Sequence, residues 1–334
     1  MRVGVRCLAT LSAIAVSTAI VFVLAGGSPA AAAQPPARSA ASPQQRVRVH
    51  FQTYLHAHRR AIGIPRSPVR IRGTVTPYVA GQTVAVRIFR GTHRVLARNR
   101  PVAAAVAVGR FGLSFKPKHR GVFRVRVAAA ATTAPPATPA RARARLLVVR
   151  SSAGLGARGT QVRALQSRLA QLGYLTPVNG FFGASTARAV LAFNKVAGFS
   201  RTDYAGRAVF RRLARGGGGF KVRHPEAGKH AEFDWSRQVL VLARGATPKI
   251  IVHASSGKPS TPTVFGKFHF YGRQPGTNSH GMYYSTYFVG GYAVHGYPDV
   301  PPYAASHGCI RIPIPSARRV YAWISLGDTI YVYR

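Results

Sequence analysis

Only one of the two cysteines lies where it could do chemistry in a folded domain. Cys309 stands in residues 306–311, which read SHGCIR, whereas Cys7 lies in an apolar segment at the start of the chain. We predict that Cys7 is removed with an export signal, so that Cys309 has no intramolecular partner. An odd cysteine in an exported protein indicates a reactive thiol or an intermolecular disulfide. Because two histidines lie close to it in the sequence, we interpret Cys309 as a nucleophile.

A thiol nucleophile needs a base, since it is the thiolate that attacks a carbonyl. His295 is the better candidate for general base and proton donor, because it ends an apolar strand that would fix its imidazole. His307 lies two residues before Cys309, and in an extended segment their side chains would share a face, so we predict a supporting role. Asp299 is the only nearby acid, so the carbonyl of Gly296 is a candidate for orienting the imidazole.

The same segment suggests how a developing negative charge would be held. Gly308 leaves the backbone free to aim the N–H groups of Gly308 and Cys309 at an oxyanion. A zinc site is the alternative for a Cys/His cluster, but zinc requires three or four ligands, and the histidines here have no recognised spacing. The sequence therefore implies no metal and no cofactor.

The charge balance of the chain is extreme. There are 48 Lys and Arg against 6 Asp and Glu, which gives a formal net charge of +42, and every acid lies at or after position 203. Such a chain favours polyanionic partners, although a general bias towards arginine on solvated surfaces is an equal alternative. Six acids argue against paired-carboxylate chemistry and against a metal site built from carboxylates.

The N-terminus carries a signal for export. Arg2 and Arg6 precede an apolar run over residues 7–24, and three small residues follow at 31–33. This pattern predicts a secretory signal peptide over residues 1–33, and an uncleaved membrane anchor is the alternative. Both place the bulk of the chain outside the cytoplasm, secreted or associated with the cell wall. We therefore expect no nucleic acid partner, and a membrane contact only if the segment is uncleaved.

Residues 34–68 are rich in Ala, Pro, Gln and Arg, and we predict a linker, with a short helix over 47–61 as an alternative. Period-two alternation then predicts short strands bounded by Gly or Pro. The runs lie at 69–75, 84–88, 111–115 and 123–127, with a last strand at 146–149. Regularly spaced strands indicate a β-sandwich over 69–150, which resembles the immunoglobulin-like spacer modules of exported bacterial proteins.

The period changes to that of a helix at residue 159. Val162, Leu165, Leu169 and Leu172 are spaced three, four and three apart, which predicts one apolar helical face with Thr160 as its N-cap. A second helix is predicted with Ser185 as its N-cap and Gly198 as its end, and a third helix is predicted to cover 205–213. We therefore predict a small three-helix domain over 155–215, followed by a glycine hinge at 216–220.

This helical segment resembles the peptidoglycan-binding domain type 1 family, and the resemblance implies glycan or stem-peptide binding. The matching residues are Gly159, Val162, Leu165, Gln166, Leu169, Gly173, Tyr174, Gly180, Phe182, Gly183, Thr186, Ala189, Val190 and Phe193.

Residues 221–334 read as a mainly β domain with one short helix over 318–324. The HG pair at 295–296 and the SHGC-x-R run at 306–311 resemble the L,D-transpeptidase catalytic (YkuD) domain, together with Thr261, Pro262, Gly266 and Phe268. The resemblance implies that Cys309 attacks a peptidoglycan tetrapeptide stem, is acylated by it and expels the terminal D-alanine. The acyl group is then transferred to a neighbouring stem, which gives a 3→3 cross-link. Family members are typically inactivated by carbapenems.

The resemblance also implies a binding surface for stem peptides around the cysteine. We expect Arg311 to bind a substrate carboxylate or, equally, to pin the loop, and we add Ser306, Tyr297 and Tyr283 as candidate substrate-binding residues. The predicted protein is thus a multidomain enzyme of peptidoglycan biosynthesis, cell wall organisation and cell shape. Its expected partners are stem peptides and glycan, with anionic wall polymers as a further candidate. The alternatives are an L,D-carboxypeptidase that uses water as acceptor, and a non-catalytic polycationic wall-binding protein.

Overall fold

The computed structural model describes residues 44–106, 108–129 and 139–334. The predicted signal peptide at 1–33 lies outside the described residues, as do residues 34–43 of the predicted linker. Residues Gln44–Arg334 form one unit. Within the described ranges, no helix combines the length and apolar character needed to span a bilayer.

The N-terminal module, residues 44–150, is built of strands arranged in two sheets. They are β1 (Arg46–Gln52), β2 (Leu55–Ala57), β3 (Arg60–Gly63), β4 (Val69–Thr76), β5 (Thr83–Arg90), β6 (His93–Pro101), β7 (Ala103–Ala105), β8 (Val108–Phe115), β9 (Gly121–Ala129) and β10 (Arg141–Val148). The sheet orders are β1-β4-β8-β7 and β2-β3-β10-β9-β5-β6. Alternate residues of both sheets bury one shared apolar core. The predicted strands are confirmed, and the immunoglobulin-like topology stays a prediction.

The predicted linker is wrong for residues 46–63, and so is the alternative helix there. β1 pairs antiparallel with β4 along its whole length, with Phe51 opposite Ile71. The sequence RVRVHFQ of β1 alternates polar and apolar residues, and this alternation is the signal that predicts a strand. Leu55 and Ile62 of the β2–β3 hairpin are fully buried and join the core of the following helical module.

The helical module, residues 151–220, contains the three predicted helices. They are α1 (Thr160–Gln171), α2 (Ala184–Ala197) and α3 (Arg207–Ala214). The predicted N-caps are displaced by one or two residues, because Gly159 and Gly183 precede the first turns of α1 and α2. The predicted apolar face of α1 is buried, with Val162, Leu165 and Leu169 fully covered.

The glycine run after α3 is packed against the helical module. The Tyr174 hydroxyl donates to the Gly218 carbonyl at 2.7 Å, and Arg168 donates to the Gly216 carbonyl at 3.0 Å. Gly218 has a φ of +92°, and a Cβ there would overlap the Phe193 ring. The glycines therefore permit a close backbone approach, which differs from the flexible hinge that the sequence predicts.

The C-terminal domain, residues 221–334, is mainly β as predicted. It contains β11 (Lys229–Asp234), β12 (Val239–Arg244), β13 (Thr247–His253), β14 (Gly266–His269), β15 (Gly272–Thr277), β16 (Tyr283–Val289), β17 (Tyr292–Tyr297), β18 (Ile310–Pro313), α4 (Ile314–Trp323) and β19 (Thr329–Tyr333). One sheet has the order β13-β12-β11-β19-β14 and the other β15-β16-β17-β18. Helix α4 begins four residues before the predicted start, with a proline in its first turn.

The helical module covers the edge strand β13 of the C-terminal domain. The Ile251 N–H donates to the Gly173 carbonyl at 2.8 Å, and the Leu175 N–H donates to the Ile251 carbonyl at 3.2 Å. Lys195 of α2 is buried, and its ammonium donates to the carbonyls of Gln238 and Ala254, each at 3.0 Å. One continuous apolar core therefore joins β2 and β3, the three helices and one face of β12 and β13.

Candidate active site

Two neighbouring parallel strands bring the predicted catalytic residues together. In the β17–β18 pair, Val294 lies opposite Ile310 and His295 lies opposite Arg311. Cys309 directly precedes β18, and its Sγ accepts a hydrogen bond from the Ala293 N–H at 3.4 Å. Since side chains alternate along each strand, Cys309, Arg311 and His295 are carried on the same face of the pair.

The loop that carries Cys309 is fastened by the segment that follows β13. The Ser256 carbonyl accepts the N–H groups of Ala305 and Ser306, both at 2.8 Å. The Thr263 hydroxyl donates to the Gly308 carbonyl at 2.6 Å, and itself accepts the Gly257 N–H at 2.9 Å. The positioning roles of Ser256 and Thr263 are not predicted from the sequence. Their signal is a run of small polar residues, ASSGKPSTPT, after a buried strand.

Ser306 holds the turn of this loop. It is 1% exposed, and its hydroxyl donates to the Cys309 carbonyl at 2.6 Å while accepting the Gly308 N–H at 3.0 Å. Its hydroxyl is thus engaged within the loop, and the substrate-binding role of Ser306 stays a prediction. The Gly308 N–H likewise already has a partner, which disagrees with its predicted place in an oxyanion hole.

The backbone turns sharply at Gly308. Its φ is +123°, and a Cβ at this position would overlap the Tyr292 ring. Residues 307–309 form a bend, so the extended segment expected between His307 and Cys309 is not found. His307 is exposed, and no described residue forms a hydrogen bond with its side chain. A supporting role for His307 stays a prediction.

The environment of His295, the predicted base, keeps its imidazole neutral. The side chain is 3% exposed, and its Nδ1 lies 3.0 Å from the carbonyl oxygen of Gly296, the predicted orienting group. A carbonyl only accepts, so Nδ1 carries the proton and Nε2 presents its lone pair. Burial lowers the pKa of His295 to about 4, although the bond to Gly296 opposes this effect. The imidazole is therefore uncharged at neutral pH.

Cys309 is a thiol in the resting site. Burial raises its pKa, while the Ala293 N–H and the Arg311 guanidinium act in the opposite direction. The thiol also lies 3.7 Å from the Gly291 carbonyl, to which it donates. In the resting site, Cys309 is therefore a protonated thiol and His295 a neutral imidazole.

Arg311 is held by backbone hydrogen bonds, and its guanidinium has no carboxylate partner among the described residues. Its N–H and carbonyl exchange two hydrogen bonds of 2.9 Å with Ser255. Its guanidinium lies 4.1 Å over the Tyr297 ring, and Tyr297 in turn meets His295 edge-on at 5.7 Å. Among the described residues, no ion pair involves Arg311. Tyr283 packs edge-on against Tyr284, with 4.7 Å between ring centroids.

A metal-ligating cluster is not found in the part of the chain that the structure describes. No group of three His, Cys, Asp or Glu residues comes together there in a way that could hold a metal ion.

Comparisons with known proteins agree with the domain order. The family model for the L,D-transpeptidase catalytic domain (YkuD) matches residues 228–332, and a model described as "Putative peptidoglycan binding domain" matches residues 158–213. No curated protein sequence matches the chain. The N-terminal module lies outside both family matches.

Solved structures extend this result. A crystal structure of an L,D-transpeptidase from Xylanimonas cellulosilytica, residues 123–326, is 32% identical, with a TM-score of 0.52; the match covers 55% of this chain and 98% of that one. An L,D-transpeptidase from Stackebrandtia nassauensis is 20% identical, with a TM-score of 0.35 and coverages of 55% and 96%. One from Mycobacterium smegmatis is 15% identical, with a TM-score of 0.29 and coverages of 86% and 100%. On the extent of its identity to the Xylanimonas enzyme, this chain belongs to the L,D-transpeptidase family.

Proposed function

We propose that this protein is an extracytoplasmic L,D-transpeptidase that forms 3→3 cross-links in peptidoglycan through an acyl-enzyme on Cys309. The observation that carries the proposal is the Cys309 thiol beside β17, on the face that bears the neutral, oriented imidazole of His295. Family membership supports the cell-wall transpeptidase role. The predicted export signal supports the location.

The first half-reaction forms the acyl-enzyme. Nε2 of His295 takes the thiol proton, and Sγ of Cys309 attacks the carbonyl carbon at the L-centre of the third residue of a tetrapeptide stem. When the tetrahedral intermediate collapses, the C–N bond to the terminal D-alanine breaks. The imidazolium returns its proton to the leaving amine, so that D-alanine departs and a thioester remains on Cys309.

Backbone groups stabilise the charges of this step. The Ala293 N–H, 3.4 Å from Sγ, favours the sulfur as it becomes anionic. Because Ser306 occupies the Gly308 N–H, we assign the oxyanion to the Cys309 N–H, helped by a donor that substrate binding completes. The Arg311 guanidinium is free of carboxylate partners among the described residues and would hold a carboxylate of the stem.

The second half-reaction transfers the acyl group. A side-chain amine of a neighbouring stem attacks the thioester, His295 takes a proton from that amine, and the thiol of Cys309 is regenerated. Water in place of the amine would give an L,D-carboxypeptidase by the same route. The helical module, fixed against β13, would hold peptidoglycan beside the site and raise the local concentration of stems.

The first test is intact-mass spectrometry of the mature protein after exposure to a carbapenem. One covalent adduct is expected on the wild type and none on Cys309→Ala, because only an activated thiol opens the lactam. Tetrapeptide stems with and without an acceptor amine would then separate cross-linking from trimming by the masses of the products. A folded wild type that forms no adduct and no product would overturn the enzymatic proposal in favour of a wall-binding protein.

A further inference from the structure

The positive charge of this chain is concentrated in the N-terminal module. Residues 44–150 contain 22 Lys and Arg and no Asp or Glu, whereas residues 151–334 contain 23 Lys and Arg together with all six acids. No carboxylate side chain within 44–150 can therefore neutralise its neighbours. Any counter-charge for these arginines must come from solvent ions, from another part of the chain or from a ligand.

One sheet of this module aligns its arginines with one another. On the six-stranded sheet, Arg143 of β10 lies opposite Arg126 of β9, which lies opposite Arg87 of β5. In the adjacent row, Arg145 lies opposite Arg124. All five side chains are exposed, while residues such as Val125 and Val127 between them are buried in the core. We call these five residues the arginine rows.

Direct cross-strand pairing of like charges destabilises a sheet. The other sheet of the same module avoids it: Arg48 faces Thr74, Arg70 faces Ser114, and Arg72 faces Gly112. A general excess of arginine on solvated surfaces would predict the mixed pattern on both sheets. The arginine rows depart from it, which indicates that an anion compensates the repulsion when it is bound.

We propose that the arginine rows bind a phosphate-bearing polymer of the cell wall. Neighbouring strands lie about 4.8 Å apart, and residues two positions apart on one strand are about 6.8 Å apart, so the rows form a lattice of positive charge. A flexible chain with regularly repeated phosphates can place successive charges over such a lattice, and the guanidinium fork matches the phosphate oxygens. The choice of the wall as the source of phosphate rests on the proposed function.

The surroundings of the rows favour this partner over other polyanions. Single-stranded nucleic acid is held by aromatic side chains on which bases stack. Phe89 is the aromatic residue beside the rows, and the Arg126 guanidinium lies 4.8 Å over its ring. One face of this ring is therefore already occupied, which disfavours stacking of a base on it. The major groove of DNA admits a helix or a two-stranded ribbon, and this broad sheet face is neither. A membrane surface would require an extended apolar face next to the charges. Beside the rows, on the same face, lies the apolar pair of Val122 and Leu147, which is smaller than such a face.

The test compares three full-length proteins for binding to a purified poly(glycerol phosphate). They are the wild type, the row variant Arg87→Gln/Arg126→Gln/Arg143→Gln, and the control Arg48→Gln/Arg70→Gln/Arg110→Gln. The control removes the same charge from exposed positions of the other sheet of the same module. Affinity is measured by titration calorimetry at several salt concentrations. Thermal unfolding monitors the fold, and the row variant is expected to melt above the control because repulsion is relieved.

We expect the row variant to bind at least about tenfold more weakly at low salt. The negative slope of log K against log salt should also become shallower by about 2, since each lost phosphate contact reduces its magnitude by about 0.7–0.9. The control should change affinity by less than about threefold. Equal losses in both variants would reduce the effect to net charge and overturn the proposal. Tighter binding of a mixed-sequence single-stranded DNA, or of vesicles containing phosphatidylglycerol, with the same dependence on the rows would also overturn it.

The outcome is separable from that of the proposed enzymatic function. All three proteins retain Cys309 and His295, so each should form the carbapenem adduct if the enzyme proposal holds. Row-dependent polymer binding without any adduct would remove the enzyme proposal and leave the polymer-binding surface. An adduct on all three proteins without row-dependent binding would do the reverse.

Discussion

At the scale of single residues, the site depends on burial acting on two titratable groups. His295 is kept uncharged and Cys309 is kept protonated, because both groups are desolvated and neither has a carboxylate partner within the described ranges. This differs from the thiolate–imidazolium pair that a lowered cysteine pKa would produce. The proposed reaction therefore depends on proton transfer to Nε2 as the substrate arrives.

The pH dependence of acylation follows from this assignment. The base form of His295 is present above its pKa of about 4, so the carbapenem acylation rate should be maintained from pH 7 down to about pH 5 and fall below about pH 4. Stopped-flow fluorescence or quenched mass spectrometry over pH 3.5–8 would measure it. An acid limb centred near 6.5, the ordinary value for histidine, would contradict a neutral buried base.

The two histidines near Cys309 should differ sharply in their effect. His295→Ala removes the oriented base and should lower the acylation rate by about 10²–10⁴-fold, the usual contribution of a general base. His307→Ala is the matched control, because that side chain is exposed and forms no hydrogen bond with the described residues, and it should cost less than about tenfold. Comparable losses in both variants would show that His307 takes part in the chemistry.

At the scale of elements, the site is held by the clasp between the segment after β13 and the loop before β18. Thr263 is 1% exposed, and its hydroxyl joins the Gly308 carbonyl to the Gly257 N–H. Ser256 holds Ala305 and Ser306 in the same way through its carbonyl. The reactive loop is therefore fixed by a part of the chain about 45 residues earlier, as the sequence separation of the Thr263–Gly308 bond shows.

Thr263→Val tests this clasp with little change in side-chain shape. It leaves a buried N–H and a buried carbonyl without this partner, which costs about 1–3 kcal/mol for each unsatisfied group, and it frees the loop to move. We expect a lower melting temperature and a slower carbapenem acylation of Cys309. Thr247→Val, at an exposed position of β13, is the matched control. Acylation at the wild-type rate in Thr263→Val would show that the hydrogen bonds of Thr263 are not needed to position the loop.

At the scale of the whole molecule, the helical module and the C-terminal domain share a core and a backbone bridge. Ile251 is fully buried in that core and exchanges hydrogen bonds with Gly173 and Leu175. The glycine run is packed under Tyr174, so it does not separate the two parts. They should consequently unfold together.

Cooperative unfolding has two independent probes in this chain. Both tryptophans, Trp235 and Trp323, lie in the C-terminal domain, whereas the helices of the helical module dominate the far-ultraviolet circular dichroism. The two transitions should coincide. Ile251→Ala should lower the free energy of unfolding measured by each probe by the same amount, about 2–5 kcal/mol. Ala246→Gly, an exposed change in the turn before β13, is a control that should shift neither by more than about 1 kcal/mol. Separate transitions would instead support the flexible hinge that the sequence predicts at residues 216–220.

Local patterns in the sequence were sufficient to predict most of the elements and to nominate the candidate catalytic groups. The spacing of Val162, Leu165 and Leu169 predicts α1, and the period-two runs predict β4, β5, β8 and β9, because burial of one face imposes those periods. The HG and SHGC-x-R motifs nominate His295 and Cys309 for a different reason, because nucleophilic catalysis needs those residue types. The alternation in β1 carries the same information, and it outweighs the Ala, Pro, Gln and Arg composition that predicts a linker there.

The tertiary structure alone decided how those groups behave. The protonation states of His295 and Cys309 depend on how much water the surrounding strands exclude, and this exclusion is a property of packing between distant segments. The Ser306 hydroxyl bonds the Cys309 carbonyl and the Gly308 N–H, and the spacing of these residues in the sequence does not predict either hydrogen bond. The opposition of Arg143, Arg126 and Arg87 likewise depends on strand order and register, which join residues far apart in the chain.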